Sequence, residues 1–284
     1  MARRRAPIQK RPARAASAAR SSSSKGFLSY LPWIAGLGLV GVIVGFAISA
    51  PEKLDPKTFC PPETSGKTVL LIDVSDKLSF SQKARLDNEL KYLSDTSADR
   101  PNAFLSKGEL FVVYFLETEE KPPELLFSMC HPGALADRSV VEKLAQGEMF
   151  ARKQWEEFQQ NTLERIDQRI VSSKDAATSP IYETLQYIRA EEFPPPALVS
   201  GDDDYSLLIW SDMIQNSSKE NHFSKISQPE AFFKSNPLQM NGINVELMFL
   251  LSQKYASSQP DELILWWRKI FALAKAEFNF GFQQ

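Results

Sequence analysis

Apolar positions along the chain fall into one long run and several short ones. The long run is Phe27–Ala50 (FLSYLPWIAGLGLVGVIVGFAISA), 24 residues without a charge. After it, short apolar runs rich in β-branched and aromatic residues read as buried strands: 68–73 (TVLLID), 110–116 (LFVVYFL), 205–210 (YSLLIW) and 243–251 (INVELMFLL). Between them, apolar residues recur at helical spacing over 79–94 and 139–171, where one or two helices are predicted, and over 181–190. A last amphipathic helix is predicted over 260–276, with proline at its start. Strands therefore alternate with helices, and most strand runs lack polar alternation. That pattern predicts an α/β domain with a doubly wound, mostly parallel sheet buried on both faces.

The long run sets the topology. As a helix it is about 36 Å long, against a hydrocarbon core of roughly 30 Å, so it can span a membrane with some tilt. A soluble core helix would rarely follow a 26-residue tail lacking any acid. A signal peptide is the second alternative, although its apolar region is usually only about 7–15 residues. Residues 1–26 hold eight of the 33 Lys and Arg and none of the 35 Asp and Glu, so the remainder carries 25 cations against 35 acids. Cations before the span and near-balanced charge after it place the N-terminus in the cytoplasm and residues 51–284 outside it, in the periplasm if the host is bacterial. The basic tail reads as a disordered arm for anionic lipid, or as a transit peptide. Gly41, Gly45 and Ser49 share one helix face, where small residues allow two spans to self-associate. Residues 51–66 are rich in proline and charge and read as a linker, followed by a domain over 67–284. An acidic body is a poor nucleic-acid binder, and no such partner is expected.

In parallel α/β sheets, ligands bind at the carboxyl ends of the strands. The first strand ends in Asp73-Val74-Ser75-Asp76-Lys77 and the third in Trp210-Ser211-Asp212-Met213. A loop between them carries Ser179 ahead of a helix. If the sheet is built as predicted, Asp73, Ser75, Ser179 and Asp212 meet on one edge. All four offer hard oxygens, suited to Mg²⁺ or Mn²⁺, and Mg²⁺ keeps several waters so that few side chains suffice. A turn at a strand end, with Ser75 or Ser79 capping the next helix, is the plainer account of the first motif.

These residues carry a resemblance. The chain resembles a von Willebrand factor type A domain, whose metal-ion-dependent adhesion site combines an Asp-x-Ser-x-Ser motif at a strand end, a threonine on a later loop and an aspartate ending a later strand. Asp73 and Ser75 match the first motif, Ser179 replaces the threonine within a segment (SPIYETL) similar to the family's helix start, and Asp212 matches the later aspartate. The resemblance covers residues 67–277 through element order and these three motifs. It implies a metal-assisted partner-binding edge. Two positions depart from the pattern. Met213 stands in the place of a glycine, and Lys77 in that of the third serine. The Lys77 ammonium would repel a divalent cation, or replace it by pairing with Asp73 or Asp212, unless it swings outward.

Only two cysteines occur, Cys60 and Cys130. With both outside the cytoplasm, an oxidising compartment favours a disulfide between them. Cys130-His131 is not expected to be catalytic, since nucleophile and base normally come from different elements. Neither a nucleophile elbow nor a phosphate-binding glycine loop occurs. Trp266 and Trp267 suit core packing better than a partner anchor. Asp202-Asp203-Asp204 reads as a solvated turn, and Asn216-Ser217-Ser218 is a glycosylation sequon. The expected function is therefore a single-pass, membrane-anchored binding or scaffold protein without enzymatic activity. The alternatives are a Mg²⁺-dependent phosphohydrolase using Asp73, for which Ser75 stands where a second aspartate is usual, and a structural subunit of a membrane assembly.

Overall fold

A computed structural model of the chain describes residues 54–64, 66–94, 105–133, 147–195, 204–251 and 261–281. The chain divides into two units, 1–50 and 51–284, and every described residue belongs to the second. The expected span over 27–50, with Gly41, Gly45 and Ser49, lies outside the described residues. Among the described residues no helix is long and apolar enough to cross a membrane.

Six strands form one sheet: β1 (Gly66–Ile72), β2 (Leu110–Phe115), β3 (Glu124–Cys130), β4 (Asp204–Ser211), β5 (Asn244–Phe249) and β6 (Glu277–Gly281). Their spatial order is β3-β2-β1-β4-β5-β6, all parallel except β3, which runs antiparallel to β2. The helices are α1 (Phe80–Ser94), α2 (Glu148–Gln159), α3 (Ile166–Ser172), α4 (Ile181–Glu192), α5 (Pro229–Ser235) and α6 (Asp261–Leu273). A π-helical turn over Gln160–Arg165 joins α2 to α3. Asn161 and Thr162 supply it with side-chain bonds to the carbonyls of Glu157 and Phe158, both 2.8 Å.

Two cores sandwich the sheet. On one face Val69, Leu71, Val112, Leu207 and Ile209 pack against α4, α5 and α6, with Tyr182, Trp266 and Trp267 at the centre. On the other, Leu70, Ile72, Phe111, Phe115 and Trp210 pack against α1 and the α2–α3 segment. Burial on both faces explains why β1, β2 and β4 read as unbroken apolar runs. The outer strand β5 is different: Val245, Leu247 and Phe249 are buried, whereas Asn244 and Glu246 are only half-buried. The expectation of two covered faces thus holds for the central strands and not along β5.

Two strands and a helix escaped the hydrophobic pattern. β3 is half-polar on its outer face, β6 is five residues long, and α5 is two turns. The helix expected over 260–276 stops at Leu273 because Lys275 turns the chain through a positive φ of 59° into β6. Part of the expected linker over 51–66 is tied to the domain. Asp55 organises a tight turn, its carboxylate accepting from Lys57 N and Thr58 N, and Thr58 O accepts from Cys130 N at 2.8 Å. Phe59 packs on the second core, and Cys60 is disulfide-bonded to Cys130 with a Cα separation of 4.9 Å. Residues 54–60 are thereby fixed to the edge strand β3.

Candidate functional site

The turn after β1 folds around Asp73. Its Oδ1 accepts Ser75 N at 2.9 Å, closing a two-residue side-chain turn. The helix that follows is capped by Ser79, not Ser75. Ser79 Oγ accepts Gln82 N while Gln82 Oε1 accepts Ser79 N, a reciprocal capping box. Asp73 is therefore free of capping duty, and its second oxygen faces neighbouring elements. Oδ2 accepts Ser211 Oγ at 2.8 Å and Ser179 Oγ at 3.3 Å.

Ser179 is held by a pair of backbone bonds to Asn216, 2.8 and 2.9 Å, which lock the loop before α4 to the loop after β4. Gln215 reinforces the junction. Its Oε1 caps Tyr182 N at the start of α4, and its Nε2 donates to Glu183 and Ser217. The Asn216 side chain donates to Ala177 O within the same junction. Asp212 begins a second side-chain turn, accepting Ile214 N at 2.9 Å. Met213, between them, sits at φ 60°, in the left-handed region where the resembling family carries glycine. It is held there by Ser211 Oγ, which accepts its N–H, and by Trp267 Nε1, which donates to its carbonyl.

A cavity of about 220 Å³ opens over this edge. Asp73, Ser75, Asp76, Asp175 and Asp212 line it, with Lys77 and Gln82 at its wall. Of the four residues expected from the sequence, Asp73, Ser75 and Asp212 reach the cavity, and Ser179 joins them through its bond to Asp73. Asp73 and Asp212 are almost fully buried. Burial, then the charges of Asp73 and Asp76, push the Asp212 carboxyl well above the ordinary carboxylate range. Lys77 is exposed and makes no ion pair among the described residues, while its N–H donates to Asp175.

The donor set is chemically suited to a small divalent cation: two crowded carboxylates, two hydroxyls and room for water. Among the described residues no three His, Cys, Asp or Glu side chains converge, so protein carboxylates alone would leave most coordination positions to hydroxyls and solvent. Sequence reasoning missed Ser211 and Asp175. Ser211 is fully buried at the last position of β4, where a serine interrupts an apolar run, and that interruption was the available signal. Asp175 lies in a loop with no pattern to mark it.

No family model and no curated protein matches the sequence. Among solved structures, two of proximal thread matrix protein 1 from the mussel byssus are similar to the chain, each at 11% identity, with TM-scores of 0.31 and 0.28. They cover 75% and 78% of this chain and 49% of that protein, so the chain spans about half its length. Similarity at that level carries no argument about function.

Proposed function

We propose that the chain is a membrane-anchored, extracytoplasmic binding protein of the von Willebrand factor type A kind, which engages a protein partner at the strand-end edge around Asp73, Ser75, Ser179 and Asp212. The gathering of Asp73, Ser75 and Asp212 on one cavity, with Ser179 hydrogen-bonded to Asp73 across 106 positions of sequence, is the observation that carries this reading. Mg²⁺ or Mn²⁺ would be held by Asp73, Asp212 and the hydroxyls of Ser75 and Ser179, and would supply an electrophilic point for an acidic partner side chain. Crowding of two buried carboxylates favours such an ion. The Cys60–Cys130 disulfide supports an oxidising compartment for the domain. Residues 27–50 are the proposed anchor, and their small-residue face the proposed route to self-association.

Thermal unfolding of the full chain in detergent, with and without millimolar Mg²⁺ or Mn²⁺, tests the site. A cation at about 100 times its Kd stabilises by roughly 2.7 kcal/mol, a shift of a few degrees. The shift is expected in the wild type and absent from Asp73→Ala and Asp212→Ala. A wild type indifferent to both cations overturns the metal assignment.

A further inference from the structure

The opposite end of α4 holds a buried charge with no carboxylate partner among the described residues. Arg189, in the last turn of this helix, is only 9% exposed. Its Nε donates to Gln239 O at 2.5 Å and its Nη1 to Phe193 O at 2.9 Å, so two of its five N–H groups are spent on neutral carbonyls. Among the described residues no carboxylate pairs with it. Glu192, one turn further along the same helix, is committed to Lys67 at 3.2 Å and to the Tyr114 hydroxyl. Burial pulls the Arg189 guanidinium below its ordinary range. A buried unpaired cation is costly, and proteins rarely leave one uncompensated.

Arg189 also lines a cleft of about 330 Å³ between α4 and residues 237–239. Ala190, Phe193, Pro195, Pro237 and Leu238 give it apolar walls. At its rim Gln186 accepts from the Lys219 ammonium at 3.3 Å, and Lys219 pairs with no carboxylate among the described residues. One buried cation and an apolar wall thus face the cleft, and a second cation is bonded to Gln186 at its rim.

We propose that this cleft is a carboxylate-binding subsite, in which the three remaining N–H groups of Arg189 clamp a carboxylate carried on an apolar body. The planar guanidinium fork matches a carboxylate in two parallel bonds. The proline, phenylalanine and leucine walls select an apolar attachment over free phosphate, which would leave them against a hydrated ion. Carboxylates of that kind come from the end of a peptide chain or from a small organic acid. This subsite is independent of the strand-end edge and shares no residue with it.

Isothermal titration of the full chain in detergent tests the proposal with four probes: N-acetyl-Leu-Leu as the free acid, the same peptide as its C-terminal amide, benzoate and inorganic phosphate. The free-acid peptide is expected to bind saturably and its amide at least 10-fold more weakly, with phosphate showing no saturable heat. Benzoate binding equal to the peptide assigns a small organic acid as the source, and tighter peptide binding assigns a chain terminus. Arg189→Gln removes the clamp on Phe193 and Gln239 and can unfold α4, so Pro195→Asp is the second variant. Pro195 is exposed, and an aspartate there places a competing carboxylate at the cleft without touching Arg189's carbonyl bonds. Loss of peptide binding in Pro195→Asp, with an unchanged melting temperature, supports the subsite. Equal binding of acid and amide, binding of phosphate alone, no binding by either acid, or undiminished binding in Pro195→Asp overturns it.

Discussion

His222 shows what a buried neutral imidazole does to stability. Its Nδ1 accepts Gln215 N at 3.2 Å, which leaves the proton on Nε2, facing Glu220 at 3.7 Å. Its ring lies edge-on to Trp266 and Trp267, with centroids 4.9 and 6.2 Å away. Burial lowers its pKa from 6.5 to about 4. The unfolded chain therefore binds a proton between pH 6.5 and 4 that the folded chain refuses. Stability from this group is complete above pH 6.5 and is lost as pH falls through the folded value, on the order of 3 kcal/mol at 1.36 kcal/mol per pH unit. Urea unfolding at pH 7 and pH 4.5 is expected to show that loss in the wild type and a smaller one in His222→Gln. Equal pH dependence in the two proteins would exclude His222 as its source. Nothing in the sequence around His222 signals this role, since both tryptophans come from a helix about 45 positions away. Met213 is a different case. Its place after Asp212 was visible, but its left-handed backbone and its support from Ser211 and Trp267 arise only when β4 meets α6.

Among the elements, the central strands announced themselves. Burial on both faces requires apolar side chains at every position, so β1, β2 and β4 were legible within one or two residues. β3 and β6 were not, because an edge strand has only one face to bury and a short one offers too few positions for a pattern. The α2–α3 helix ran through a π turn without any break in spacing, since side-chain bonds from Asn161 and Thr162 absorb the extra residue. The segment before β1 shows how a covalent bond changes an element's standing. Proline and charge predict a linker, yet the disulfide and the Thr58–Cys130 backbone bond attach it to β3. The disulfide closes a loop of 70 residues, worth about 4 kcal/mol by loop entropy alone. Replacing both cysteines with alanine is expected to lower stability by that order in denaturant unfolding. An unchanged midpoint would mean that the backbone contacts hold the segment without it.

At the scale of the whole domain over residues 51–284, the sheet puts the candidate cavity and the disulfide at opposite ends. Cys130 is level with Leu110 at the start of β2, which pairs with Lys67. Asp73 lies six residues further along β1, roughly 20 Å away at about 3.3 Å per residue. Stability changes at sites that far apart add within roughly 0.5 kcal/mol. The destabilisation in the triple variant Asp73→Ala with both cysteines replaced is therefore expected to equal the sum of its parts. A larger coupling, measured by the same unfolding curves, would show that the two ends communicate through the sheet. The chain's own pattern determined the class of fold, the parallel strands and the disulfide partners, because periodicity and a count of two cysteines are local or exhaustive properties. It also marked Asp73 and Asp212 as strand-end carboxylates. Only the tertiary structure decided that Asp175 lines the same cavity, that Ser211 is bonded to Asp73, and that Arg189 is buried with no carboxylate partner among the described residues. Each of those facts depends on which strands lie side by side, and hydrophobic periodicity records the direction a side chain faces but not the neighbour it meets.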